Sequence, residues 1–250
     1  MVRRLLLCLV LPLLALLPSL PGARAQDSGF TPAQRAEIVT VMRAAMKSDP
    51  SILRDAIQAL QQQEAQAQQV ASRTAIDHAQ EALSRGTTDP MAGNPKGDVT
   101  LVEFYDLRCP YCRRMLPVVD ELVASDPKLR VVYKDVPILG APSVLGARAV
   151  LAAQRQGGYL KLRQAMMTGT SQITEESLQA DAAKVGLDWA RLRQDMQDPS
   201  VTARIDANLE LARTLGINGT PAYVVGNQLM PGAVSLQELQ KAVAAARARG

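Results

Sequence analysis

Histidine occurs once in 250 residues, cysteine three times, and aromatic side chains make up only 3% of the chain. So few cysteines exclude a small domain stapled by several disulfides. A zinc knuckle needs about four N, S or O ligands, and the lone His78 lies 31 residues before Cys109. An excess of one charge is also lacking, with 28 Lys+Arg against 24 Asp+Glu. Without the first 25 residues the balance is 25 to 24, which argues against nucleic acid or a membrane surface as the partner. Long apolar runs are confined to Leu5–Leu17, broken by Pro12 and too short for a spanning helix of about 20 residues. Arg3 and Arg4 precede this run and the small-x-small sequence Ala23-Arg24-Ala25 follows it, so residues 1–25 are expected to be a signal peptide. Its removal takes Arg3, Arg4 and Arg24 and leaves 25 of the 28 basic residues against 24 acidic ones. Cys8 leaves as well. Two cysteines remain, and they form a CxxC.

Two helix starts open the remaining chain. Thr31-Pro32-Ala33-Gln34 places a capping threonine before a first-turn proline, with Gln34 able to reach back. Ile38, Val41, Met42 and Ala45 then share one face. Met42 and Met46 are expected to pack, not to bind a soft metal. Asp49-Pro50 restarts the pattern, and no proline or glycine interrupts Ser51 to Arg85, which permits a helix of roughly 50 Å at about 1.5 Å per residue. Ile52, Leu53, Ala56, Ile57 and Leu60 form an apolar stripe, whereas residues 61–69 are almost wholly Gln, Glu and Ala. Residues 26–60 are therefore expected to be an apolar helical module and residues 61–92 a polar connector. Packing of the whole segment on the main domain is the alternative.

Turn residues fill Gly86 to Asp98, and the remaining domain spans residues 93–250. Val99–Tyr105 reads as a central strand, the CxxC opens a helix running to about Ser125, and Leu129–Val136 is a second strand. Helical patterns occupy Ser143–Gln156, Tyr159–Thr168, Thr174–Val185, Asp188–Gln197 and Ser200–Leu215, with Trp189 anchoring one of them. Short strands at Ala222–Val225 and Gln228–Met230 form a hairpin, and Ser235-Leu236-Gln237-Glu238 caps a last helix. The order predicts an α/β fold: a mixed sheet with a right-handed parallel crossover and a helical insertion at about residues 140–215.

Cys109-Pro110-Tyr111-Cys112 stands directly after a strand and at the start of a helix. Unpaired N–H groups and the positive end of the helix dipole favour a thiolate there. Cys109 is expected at the exposed tip as the nucleophile. Cys112, one turn on, is placed to attack the resulting mixed disulfide and release the substrate. Pro110 restricts the loop between the sulfurs. A structural disulfide closing so short a loop would stabilise little.

Residues 103–112, Glu-Phe-Tyr-Asp-Leu-Arg-Cys-Pro-Tyr-Cys, resemble the active-site segment of the DsbA-like branch of the thioredoxin superfamily. Gly219-Thr220-Pro221-Ala222 resembles the cis-proline loop that faces the CxxC in that superfamily, and Pro117 resembles its helix-kinking proline. The resemblance implies a thioredoxin-like fold and no cofactor or metal beyond the redox-active pair. It implies Glu103 as a buried acid able to take the proton of the resolving thiol. Thr220 and Pro221, the bond between them cis, would bind a peptide as an added strand, with Pro110 and Tyr111 completing the substrate contacts. Arg108 either lowers the Cys109 pKa as a nearby cation or faces outward. Tyr111 stands where strong oxidases carry histidine. No role falls to His78.

The capped helices, the Asp-Pro-x-Ile-Leu stretch and the Gln/Ala-rich tract further resemble the ScsC-like suppressor-of-copper-sensitivity group, whose N-terminal region can oligomerise the chain. That implies a periplasmic homo-oligomer (a trimer by resemblance) acting on exported cysteine-containing proteins, and a membrane redox partner of the DsbD or ScsB type. Disulfide isomerase or reductase activity is favoured over dithiol oxidase. A Cu(I)-binding copper-tolerance protein and a holdase chaperone are the alternatives of other classes.

Overall fold

The computed structural model describes residues 29–85 and 88–249, so the expected signal peptide, its cleavage site and Cys8 lie outside the described residues. The chain divides between Gln61 and Gln62 into two compact units. In the first, α1 spans Pro32–Ser48, with Thr31 and Gln34 forming the capping box that their spacing predicts. The Asp49 carboxylate accepts the backbone N–H and the hydroxyl of Ser51 at the start of α2, Ser51–His78. Phe30, Ile38, Val41, Met42 and Met46, then Ile52, Leu53, Ile57 and Leu60, are all exposed.

The second unit is built on a five-stranded sheet of order β1-β3-β2-β4-β5, with strands Met91–Gly93, Val99–Tyr105, Leu129–Asp135, Ala222–Val225 and Gln228–Pro231. β2 and β3 are parallel, and the other pairs are antiparallel. Helix α3, Pro110–Ser125, makes the crossover and contains Pro117. The insertion supplies α4 (Ala141–Ala153), α5 (Tyr159–Thr168), α6 (Glu175–Lys184), α7 (Trp189–Asp195) and α8 (Pro199–Thr214). Helix α9, Leu236–Arg247, starts on the Ser235–Glu238 capping box. Alternation along β2 sends Leu101 and Tyr105 into the core formed with α3, α9 and the insertion. Val102 and Phe104 face the opposite layer with Leu211, Ala212 and Leu215.

That opposite layer corrects the expectation of a polar connector over 61–92. Ile76 and Leu83 are fully buried against Val102, Phe104 and Val132, each such burial stabilising by about 1.5–3 kcal/mol. Lys134 on β3 donates to the Ala82 carbonyl and pairs with Asp89 at 2.7 Å, and Arg130 donates to the Ser84 carbonyl at 2.6 Å. Two apolar side chains spaced seven apart in a polar tract suffice, because cations on the neighbouring strand satisfy the carbonyls on either side of Leu83. Strand β1 falls in the stretch expected to be only turns. Its Gly93 has φ +75°, and a Cβ there would lie 2.4 Å from the Leu129 carbonyl oxygen, so glycine is what lets three residues pair with β3.

Candidate functional site

Cys109 is the N-cap of α3, with extended backbone and no side-chain capping bond, and Pro110 fills the first turn. The loop before it is held by Asp106, which is buried. Its carbonyl accepts the Cys109 N–H at 3.0 Å. Its carboxylate accepts the N–H of Arg108 at 2.8 Å and of Ile138 at 2.9 Å, together with the Ser143 hydroxyl at 2.8 Å. The expectation of an exposed tip is corrected, since Cys109 is only 4% exposed. The Gly219–Pro221 loop lies against it, and the Cys109 thiol donates to the Thr220 carbonyl at 3.1 Å. The Thr220–Pro221 peptide is cis. Tyr111 is 53% exposed beside the pair, with the Arg114 guanidinium 4.4 Å above its ring. Arg108 faces outward, where its guanidinium donates to the Leu139 carbonyl.

Cys112 is fully buried, and both cysteines are free thiols. Burial pushes the Cys112 thiol up; a hydrogen bond from the Asp106 backbone opposes this, and the nearby charges of Cys109 and Glu103 add to it. Cys112 is therefore a protonated thiol at neutral pH. Glu103, on β2 with the same alternation as Leu101 and Tyr105, is fully buried. It pairs with Arg163 of α5 at 2.8 Å and accepts the Tyr223 hydroxyl at 3.4 Å. Desolvation pushes its carboxyl upward, and Arg163 pulls it back.

Arg163 itself stacks on two rings, with its guanidinium carbon 4.5 Å from the Tyr105 centroid and 4.3 Å from that of Tyr133. Tyr105 leads onward. Its hydroxyl donates to Asp135 at 2.6 Å and lies 2.7 Å from the Tyr159 hydroxyl, which donates to the other Asp135 oxygen at 2.9 Å. One buried polar network thus runs under the CxxC from β2 through α5 to the end of β3.

Residues 100–244 match the DSBA-like thioredoxin domain family, and residues 34–67 match the N-terminal domain of copper resistance protein ScsC. The chain belongs to the DsbA-like thioredoxin family. A thioredoxin-like oxidoreductase from Silicibacter pomeroyi is 46% identical, over 67% of this chain and 97% of that one, with a TM-score of 0.66. Proteus mirabilis ScsC in a transitional conformation is 29% identical over 90% of this chain and all of that one, with a TM-score of 0.65. Among curated proteins, the thiol:disulfide interchange protein DsbA of Bordetella parapertussis is 27% identical over 56% of this chain and 69% of its own length. Na(+)/H(+) antiporter NhaA 3 of Salinispora tropica matches over 160 residues at 27% identity, 63% of this chain and 24% of the antiporter, so the chain spans about a quarter of such relatives. No helix among the described residues is long and apolar enough to cross a membrane.

Within this DsbA-like domain, the structure brings Cys109, Cys112, Pro110, Thr220 and Pro221 together, sets Glu103 beneath them, and leaves Tyr111 at the rim. The sequence did not single out Asp106, Arg163 or Asp135. Asp106 carried a local signal, because an aspartate two residues before its N–H partner is an Asx-turn pattern. Arg163 carried none: it meets Glu103 across 60 residues of chain.

Asp135 gives the DsbA-like domain a pH signature. Burial, opposed by the two tyrosine hydroxyls, raises its carboxyl from 3.8 to about 6. The unfolded chain then loses this proton first as pH rises, so the protonated acid's stabilisation is complete below about pH 4 and is lost by about pH 6. The change is worth about 3 kcal/mol at most. Asp135→Asn keeps an acceptor for Tyr105 but cannot ionise. Urea unfolding should show the wild type losing about that much relative to Asp135→Asn between pH 4 and pH 7, and a constant difference would refute the assignment.

Proposed function

We propose that the chain catalyses thiol–disulfide exchange on exported proteins through Cys109 and Cys112, with isomerisation or reduction as its main direction. The supporting observation is the Cys109 sulfur lying 3.1 Å from the Thr220 carbonyl at the cis-proline loop, with the protonated Cys112 buried behind it. In the reduced form, the Cys109 thiolate attacks a substrate disulfide, forming the Cys109–substrate bond and expelling one substrate thiolate. That thiolate can attack elsewhere in its own chain and finally displace Cys109, which completes an isomerisation. Alternatively, Cys112 passes its proton to Glu103 and attacks the Cys109 sulfur, giving the Cys109–Cys112 disulfide and a reduced substrate. Reduction then needs a thiol donor, for which a membrane partner of the DsbD or ScsB type is the candidate. Thr220 and Pro221 hold the substrate backbone, and Pro110 and Tyr111 border it. The redox pair serves in place of any cofactor. The location would be periplasmic, as it is for a thioredoxin-like protein of Salmonella enterica serovar Typhimurium that is 32% identical over 68% of this chain.

Isomerase is favoured over oxidase because Tyr111 offers no imidazole to stabilise a reduced thiolate, and because the first unit exposes an apolar face suited to self-association. Ile38, Val41 and Met42 on α1, with Ile52, Leu53, Ile57 and Leu60 on α2, must be covered by something. Identical chains can cover one another. Several active sites around a shared space suit a misfolded chain, and a trimer is the expected state. A Cu(I) site on the two thiolates is the second reading, favoured by the match of residues 34–67 to copper resistance protein ScsC.

Two measurements separate these readings. Refolding of a scrambled, fully disulfide-bonded substrate should be accelerated by the reduced chain, and failure with normal Cu(I) uptake would put copper binding first. Deleting residues 26–60 should convert the oligomer to a monomer by light scattering, preserve dithiol oxidation and remove most isomerase activity. A full-length chain that runs as a monomer at micromolar concentration would defeat the oligomer and advance the oxidase reading.

A further inference from the structure

The exchange chemistry leaves two arginines beside the redox pair without a task. Arg108 immediately precedes Cys109, and Arg113 follows Cys112 and donates its backbone N–H to the Cys109 carbonyl at 3.1 Å. Both arginines line a cavity of about 280 Å³, together with Thr170, Ser171 and Gln172 of the α5–α6 connection. Each guanidinium is tied down by carbonyls. Arg108 donates through Nη1 to Leu139. Arg113 donates through Nε to Leu107 at 3.3 Å and through Nη1 to Met167 and Gly169. Carbonyls fix a cation in place without neutralising it.

Among the described residues, no acid lines the cavity and none pairs with either guanidinium. The nearest acid in sequence, Asp106, is engaged elsewhere. Its carboxylate accepts the N–H groups of Arg108, Ile138 and Leu139 and the Ser143 hydroxyl. A carboxylate offers about four such positions, so Asp106 is saturated. Arg113 Nη2 and most N–H groups of the Arg108 guanidinium remain as donors, with two hydroxyls and an amide around them. Such planar forks match a carboxylate, which accepts paired bonds. The cavity is smaller than the roughly 300–1,000 Å³ of sites that enclose a whole ligand. It suits one carboxylate on its stem. A molecule that engages Cys109 brings a disulfide or a thiol, and the anion that cysteine-bearing peptides carry is a carboxylate.

We propose that this cavity binds a carboxylate of the molecule whose disulfide or thiol reacts at Cys109. The carboxylate belongs either to an acidic residue near the reacting cysteine of a protein or to a small peptide thiol. The inference rests on the exchange reading and adds to it a charge preference, set by residues outside the Thr220–Pro221 loop. Because Arg108 is exposed, the preference weakens as salt rises.

The test compares kcat/KM of the reduced full-length chain within two pairs of disulfides. One pair is glutathione disulfide, which carries carboxylates, and hydroxyethyl disulfide, which carries none. The other is a disulfide-linked peptide with Glu or Gln beside its cysteine. Ratios within a pair cancel any change in Cys109 reactivity. The wild type should prefer the carboxylate-bearing member about fivefold at low salt, the scale of a partly exposed ion pair. A preference in the glutathione pair marks a small thiol as the source, and one in the peptide pair marks a protein. Arg108→Gln, and Gln172→Glu, which fills the cavity with the chain's own carboxylate, should each bring that ratio close to one. Arg114→Gln removes a cation that lies over Tyr111 outside the cavity lining, and should leave the ratio as it is. Ratios near one in the wild type for both pairs, or an equal fall in Arg114→Gln, would overturn the proposal. A wild type that exchanges with none of these disulfides would sink the exchange reading alone. Titration with S-methylglutathione and with a cysteine-free Glu peptide then decides the cavity: a shifted Arg113 Nε–H resonance supports the carboxylate site, and an unmoved one removes it.

Discussion

Cys109→Ser is expected to reduce disulfide exchange to the uncatalysed rate, whereas Cys112→Ser should accumulate mixed disulfides with substrate. The two sulfurs differ because the fold treats them differently. Cys109 is an N-cap whose side chain is free of capping duty and directed at the Thr220–Pro221 loop. Cys112, one turn later, is fully buried, and desolvation holds its proton. On the proposed function, Cys109 begins the attack on an external disulfide. On the same proposal, Cys112 ends it, with Glu103 as the base that takes its proton. Alkylation with a small reagent between pH 5 and pH 9 provides the check: Cys109 should react first throughout. Faster modification of Cys112 at any pH in that window would reverse the roles, and trapped complexes on Cys109→Ser in place of Cys112→Ser would do the same.

Much of this arrangement was legible in the residues, for local reasons. The limits of α5 agree with the reading at both ends, because Gly158 and Gly169 bracket an uninterrupted helical pattern. The capping boxes at Thr31 and Ser235 are readable because each completes itself within four residues. Glu103 was expected to be buried from its place in the segment that resembles the DsbA-like active site. Tertiary pairings were illegible. Ile76 and Leu83 look incidental in a glutamine-rich tract until Val102, Phe104 and Val132 are placed beside them. The cover over Cys109 comes from a loop 111 residues away. Strand β1 has no periodicity of its own and exists because β3 offers it an edge.

Arg163→Met should cost about 3–5 kcal/mol of stability at neutral pH, the scale for breaking a buried ion pair by removing one partner. The side chains of Arg163 and Glu103 are 3% and 0% exposed, so water cannot replace the lost charge. Two stacked tyrosines lose their cation in the same substitution. The deficit should depend on pH with a defined sign. Burial already raises the Glu103 carboxyl and Arg163 lowers it, so removing Arg163 raises it further. Stability of the variant is then best retained at acid pH, where Glu103 is protonated in both states, and falls as pH rises. Urea unfolding at pH 4 and pH 8 should show the larger loss at pH 8. Arg163→Met/Glu103→Gln should recover much of it, because no buried charge is left unpaired. Arg163→Lys should fall between, keeping the charge but not the planar stack over Tyr105 and Tyr133. A pH-independent loss below about 1 kcal/mol would show that Glu103 does not need this counter-charge. With the pair confirmed, the insertion helix α5 becomes the element that supplies the counter-charge to the buried acid on β2.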